Sequence, residues 1–137
     1  MLIDNKIISV LTIKDYKKSL DLAKCLYDSG IVNLDIRLRT QQSKKAIELI
    51  KNSKFKFNIG IGTVLSLEDL YFVKSLGIKY AYSPNTDVKI LNNANKLDIQ
   101  FIPGISNIDN VISAVKCNCK YLKYYPCLLY TSDAADD

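Results

Sequence analysis

Residues 34–39 read Leu34-Asp35-Ile36-Arg37-Leu38-Arg39. A strand turns successive side chains to opposite faces, so three aliphatic residues point one way and three charges the other. Around this stretch, short apolar runs alternate with amphipathic segments, which implies a parallel sheet with crossover helices. Such sheets are either open and doubly wound or closed into a barrel. In the open form a central strand is covered by helices on both faces, so three charges would be buried against a helix. In a barrel one face packs on the helix ring and the other looks inward, with its outermost charges at the C-terminal mouth. The stretch therefore predicts an α/β fold of the (β/α)₈ type.

The flanking sequence repeats the same unit. Strand-like runs at 7–11, 33–38, 58–63, 79–83, 100–103 and 121–125 start about 20–26 residues apart, room for a strand and a crossover helix. Helices are expected at 15–29, 43–52, 67–76, 87–96 and 107–116. In the first, Tyr16, Leu20, Ala23, Leu26 and Tyr27 share a face, and Gly30 follows as a C′ residue. In the third, Ser66 is the expected cap, Glu68 and Asp69 fill the first turn, and Gly77 closes the helix. Pro84, Pro103 and Pro126 are placed at the ends of strands four, five and six, where they stop pairing without breaking a ladder. Residues 1–126 thus read as an incomplete TIM barrel, five βα units plus a sixth strand.

Residues 127–137 (CLLYTSDAADD) break with this pattern, having no Lys or Arg. They resemble the translated read-through of a sequencing-library adapter, and are expected to be a non-native or disordered tail.

Of 137 residues, 48% are hydrophobic, enough for one real core, and apolar runs are too short for a membrane span or a secretory segment. The expected compartment is the cytoplasm. The net charge of +5 is spread as single lysines along helix-like segments, a solvated outer face rather than a nucleic-acid surface. Only two of the 19 basic residues are arginines, Arg37 and Arg39, both in the second strand, where a planar forked donor is useful. Histidine is absent, which excludes Ser-His-Asp triads, Cys-His dyads and the HExxH zinc motif. Cys25, Cys117, Cys119 and Cys127 form no CxxC pair and read as buried structural thiols.

Three places remain for chemistry. Asp35 and Arg39 share the inner face of strand two, as a structural ion pair or as part of a site. Gly60-Ile61-Gly62-Thr63 ends strand three, with a hydroxyl at the mouth and glycines that admit close approach or relieve crowding. Lys123 lies among Tyr121, Tyr124 and Tyr125. A lysine desolvated in such a run is suited to attack a carbonyl, unless it snorkels from the helix side.

Asp35-Ile36-Arg37-Leu38-Arg39-Thr40, Gly60-Ile61-Gly62-Thr63-Val64, Ser83-Pro84, Pro103-Gly104-Ile105-Ser106 and Leu122-Lys123-Tyr124-Tyr125-Pro126 occur in this order. Together they resemble the 2-keto-3-deoxy-6-phosphogluconate (KDPG)/4-hydroxy-2-oxoglutarate (KHG) aldolases over residues 7–126. The resemblance implies a class I lyase that cleaves a 2-keto-4-hydroxy acid to pyruvate and an aldehyde, with no metal or other cofactor. It implies Lys123 as the Schiff-base lysine, Asp35 as general acid–base, and Arg39 and Thr63 as the grip on the pyruvyl carboxylate. It also implies a homotrimer and a small keto-acid partner, with no nucleic acid and no membrane. This chain departs from the family in three places: Asp35 replaces the usual Glu, Arg37 a small or uncharged residue, and Thr12 a frequent arginine. The competing readings are another phosphate-binding TIM barrel, such as a thiamine-phosphate-synthase-like enzyme, and a degenerate keto-acid-binding barrel without turnover. Either way a barrel stopped after six strands exposes sheet edges and apolar surface. Residues 1–137 expressed alone should be inactive and aggregation-prone or partly folded; a soluble monomer with a sharp thermal transition would contradict this.

Overall fold

A computed structural model describes residues 7–126; the tail expected at 127–137, with Cys127, lies outside them. Five parallel strands form one sheet in chain order: β1 (Ile8–Leu11), β2 (Asn33–Arg37), β3 (Asn58–Gly62), β4 (Tyr80–Tyr82) and β5 (Gln100–Ile102). Between them run α1 (Ser19–Asp28), α2 (Ser43–Lys51), α3 (Leu67–Ser75) and α4 (Val88–Lys96), and α5 (Ile108–Lys116) follows β5. Each strand pairs with the next, and the order never reverses. A doubly wound sheet would have a switch point; this winding is that of a partial barrel.

Pro103 does not end the fifth strand, as the sequence reading has it, but divides it. Pairing with β4 runs as far as Ile102, and the chain resumes as β6 (Gly104–Ile105), which pairs in parallel with β7 (Lys123–Tyr124). Proline has no N–H to give a ladder, but its carbonyl still accepts. Lys123 N–H donates to Pro103 O at 2.9 Å, and Tyr125 N–H to Ile105 O at 2.8 Å. The sixth strand is therefore only two residues long, and is displaced toward the C-terminal ends of its neighbours.

The helices start where short polar side chains can satisfy free N–H groups. Ser66 accepts from Asp69 N–H, Asp87 from Lys89 and Ile90 N–H, and Asn107 from Asn110 N–H. Asp15 accepts from Lys17 N–H and opens a 3₁₀ turn at Tyr16–Lys18, so the first regular helix begins later than expected. Past α1 and α3, Gly30 (φ +81°) and Gly77 (φ +68°) take the left-handed conformation that glycine adopts without a Cβ clash.

The core lies between sheet and helices. Leu34, Ile36, Ile61 and Ala81 face Ala46, Ile47, Ile50, Leu70, Val73, Leu91 and Ala94, all buried. On α1, Ala23 is buried but Leu20 and Tyr27 are exposed, and the Tyr27 ring lies edge-on to Phe57 and tilted on Phe55. Of the cysteines, Cys117 is buried and Cys119 half-buried, and burial pushes the Cys119 thiol up to about 11. Cys25 contradicts the expectation: it is exposed, since it follows buried Ala23 by two residues, about 200° around the helix. Among the described residues no helix is long and apolar enough to cross a membrane.

Ile61 is fully buried at the centre of this core, whereas Leu65 is exposed. Ile61→Ala in the complete protein should cost roughly 2–5 kcal/mol of unfolding free energy. Leu65→Ala should stay within about 0.5 kcal/mol, both read from urea denaturation.

Candidate active site

The inner face of β2 becomes wetter toward the mouth. Asp35 is 2% exposed, Arg37 at the strand's end is half-buried, and Arg39 beyond it is exposed. The inward positions of β3 are Gly60 and Gly62, and both yield space to a neighbour's side chain. A Cβ on Gly62 would lie 2.1 Å from Asp35 Oδ1; one on Gly60 would lie 2.3 Å from Tyr82 Cε2. Side chains from β2 and β4 thus lean over a bare central strand.

Asp35 Oδ2 stands 3.6 Å from Lys123 Nζ, an ion pair in which the lysine side chain is 29% exposed. Asp35 Oδ1 is buried with no hydrogen-bond partner among the described residues. Burial pushes the Asp35 carboxyl above the ordinary aspartate range, and the attraction of Lys123 and Arg37 only partly opposes it. Lys123 owes its position to the displaced sixth strand. Pairing with Gly104 sets it beyond Ile102, level with the ends of β2 to β4. It is less enclosed than its aromatic neighbours suggest: Tyr124 turns outward at 71% exposure, while the Tyr125 ring centroid lies 5.7 Å from Nζ, a cation–π contact.

Thr63 follows Gly62 with φ +58°. A β-branched residue there is strained by about 1–3 kcal/mol, and such strain clusters at functional sites. The turn is held on both sides, by Leu38 N–H to Gly62 O (2.9 Å) and Val64 N–H to Tyr82 O (3.0 Å). Above β4, Thr86 Oγ1 donates to Gly104 O at 2.8 Å, and a Cβ on Gly104 would meet Pro84 O at 2.2 Å, so the loop presses onto β6.

The four residues singled out in the sequence, Asp35, Arg39, Thr63 and Lys123, line one cavity with Arg37, Tyr82, Ser83, Pro84 and Tyr125. Its free volume is about 10 Å³, room for about one water. Three cations and one carboxylate face it, so it favours anions. Among the described residues neither the Arg39 guanidinium nor the Thr63 hydroxyl has a protein partner. Sequence reasoning missed Tyr82 and gave Tyr125 no role beyond enclosing the lysine. The signal for Tyr82 was present: in Tyr80-Ala81-Tyr82 the alternation puts both tyrosines on the face opposite buried Ala81, toward the glycines.

Fold and site together define a barrel-type α/β protein with a lysine–carboxylate pair at its strand ends. The chain belongs to the KDPG and KHG aldolase family, whose model matches residues 1–131. A 2-dehydro-3-deoxy-phosphogluconate aldolase of Pseudoalteromonas atlantica is 34% identical over 120 residues, covering 88% of this chain and 56% of that protein. The chain thus spans little more than half the length of the curated relatives it matches. The KDPG aldolase of Legionella pneumophila, solved with pyruvate captured as a covalent carbinolamine, matches with a TM-score of 0.83 at 30% identity over 89% of this chain and 59% of that one. The Zymomonas mobilis enzyme shares the fold, with a TM-score of 0.83 at 24% identity over 94% of this chain and 62% of that one.

A raised carboxyl pKa means that the folded state binds the proton more tightly than the unfolded state. Stability therefore falls as pH rises from the ordinary aspartate pKa through the raised value. Asp35→Asn should be more stable than the parent at neutral pH, and the gap should close as pH drops below the ordinary carboxylate range. Denaturant titrations across pH would show this; a gap that widens in acid would contradict it.

Proposed function

We propose that the protein is a metal-independent class I aldolase. It reversibly cleaves a 2-keto-4-hydroxy acid, 2-dehydro-3-deoxy-6-phosphogluconate or 4-hydroxy-2-oxoglutarate, into pyruvate and an aldehyde. The observation that carries this reading is the pairing of Lys123 Nζ with the buried Asp35 carboxylate at 3.6 Å, inside a cavity edged by arginine. An amine and a carboxyl in one enclosed place can do both halves of Schiff-base chemistry, nucleophilic attack and proton transfer.

In this mechanism the free Lys123 amine attacks the C2 carbonyl, and the resulting carbinolamine loses water to give an iminium. Asp35 takes the C4 hydroxyl proton as the C3–C4 bond breaks; the aldehyde leaves, and the electron pair passes into the iminium to form an enamine. Protonation at C3 and hydrolysis release pyruvate and restore the lysine. Arg39 grips the C1 carboxylate with two parallel hydrogen bonds, and the Thr63 hydroxyl adds a third. The strained Thr63 backbone supports this role, since it aims the residue into the cavity rather than along the strand. The family resemblance supports a homotrimer acting in the cytoplasm.

In the complete protein, borohydride should reduce the pyruvate iminium to a stable adduct on the peptide containing Lys123, and Lys123→Ala should abolish it. Arg39→Lys should raise the pyruvate concentration needed for half-trapping about tenfold or more, because an ammonium cannot reproduce the fork. Asp35→Glu should match or speed turnover. Trapping on another lysine, or none at saturating pyruvate, would overturn the assignment.

A further inference from the structure

Tyr82 is 5% exposed and lines the reactive cavity, yet the mechanism above gives its hydroxyl no task. Its placement is specific. Strands lie about 4.8 Å apart, so the inner faces of β2 and β4 are roughly 10 Å apart across β3. Ordinary side chains on β3 would fill that gap. Gly60 and Gly62 leave it open, with the Tyr82 ring seated over the first and the Asp35 carboxylate over the second. From opposite sides, a long phenol and a short carboxylate reach into one slot beside Lys123. The Asp35 oxygen over Gly62, Oδ1, is the buried atom with no donor among the described residues. The Tyr82 hydroxyl likewise makes no hydrogen bond among them.

We propose that Tyr82 is a further catalytic residue, its hydroxyl passing a proton between Asp35 and the substrate oxygen beside Lys123. The inference rests on the Schiff-base reading and assigns its dehydration step. As the carbinolamine collapses, the C2–O bond breaks and the nitrogen lone pair forms C=N⁺. The departing oxygen takes the Tyr82 proton and leaves as water, and Tyr82 takes the proton of a neutral Asp35 in the same motion. A carboxylate and an iminium remain, so charge and protons balance with no other reactant. Electrostatics suit a relay rather than a free phenolate. Burial first, then the charges of Asp35 and Tyr80, push the Tyr82 phenol above its ordinary range, and burial likewise raises the Asp35 carboxyl.

The test uses the complete protein and rapid borohydride quenching of iminium formation with pyruvate, together with exchange of the pyruvate methyl protons into deuterium oxide. Tyr82→Phe keeps the ring over Gly60 and should slow both by about 100-fold, with the half-saturating pyruvate concentration unchanged. Asp35→Asn should be comparably slow, and the double variant no slower than Asp35→Asn, because two links of one relay are not lost twice. Iminium formation by the parent protein in mixtures of light and heavy water should give a curved dependence on deuterium fraction, the mark of two protons in motion. This arm needs no variant to fold. A parent that traps on Lys123 with a linear dependence, a Tyr82→Phe variant at parental rate, or losses that multiply in the double variant would overturn the relay and leave the aldolase reading standing. A parent that binds pyruvate but traps nothing would overturn the aldolase reading itself, and the relay with it.

Discussion

A carboxylate that is 2% exposed cannot stand alone, and the arrangement around Asp35 meets that constraint. Its charge is offset by Lys123 across the cavity and by Arg37 on the same strand, and its Oδ1 occupies space that only a glycine at 62 leaves open. Burial still outweighs these attractions, so the group holds its proton more readily than a surface aspartate. A shift in that direction, produced by burial beside a lysine, is of the kind found where carboxyls exchange protons. Taking away Lys123 would leave the buried carboxylate less compensated, so site and local stability are coupled.

The pairing depends on a detail of strand geometry far from Asp35 in sequence. Pro103 interrupts the fifth strand and moves the next partner to Gly104, which sets Lys123 at the height of the cavity. The close approach of Gly104 to Pro84 and the bond from Thr86 tie the fourth loop to that shifted pair. Thr63, strained on the opposite wall, is held between bonds to β2 and β4. Interruption, close approach and strain all fall at the same end of the sheet. At the other end Asn58 donates to Asn33, and Asn33 to the carbonyl of Ile7.

Charge along β2 orders the site by depth. Asp35 lies deepest, Arg37 follows at mid-depth, and Arg39 stands exposed at the rim, so an anion meets a guanidinium first and reaches the lysine and carboxyl only after shedding water. Phenols from β4 and from just beyond β7 line the cavity beside the Lys123–Asp35 pair. With only about 10 Å³ of free volume, the cavity would admit a small anion only if side chains at the rim moved, and Arg39 is the exposed one among those at the end of β2.

Much of this was legible from the chain. Alternation in 34–39 separated a helix-facing stripe from an inward charged one, because the two-residue period of a strand leaves no other arrangement. Ser66 marked a helix start, because a local capping hydrogen bond needs no tertiary partner. The motifs also grouped Asp35, Arg39, Thr63 and Lys123, which line one cavity. Tertiary structure decided the rest. That Pro103 divides a strand instead of ending it depends on what pairs beyond it, and so does the height of Lys123. That Cys25 is exposed and Tyr27 leans onto Phe55 and Phe57 depends on which helix faces find neighbours. Tyr82 is the plainest case: the alternation aims it inward, but only the packing of three strands puts it in one slot with Asp35, since the space they share is made by glycines on a strand between them.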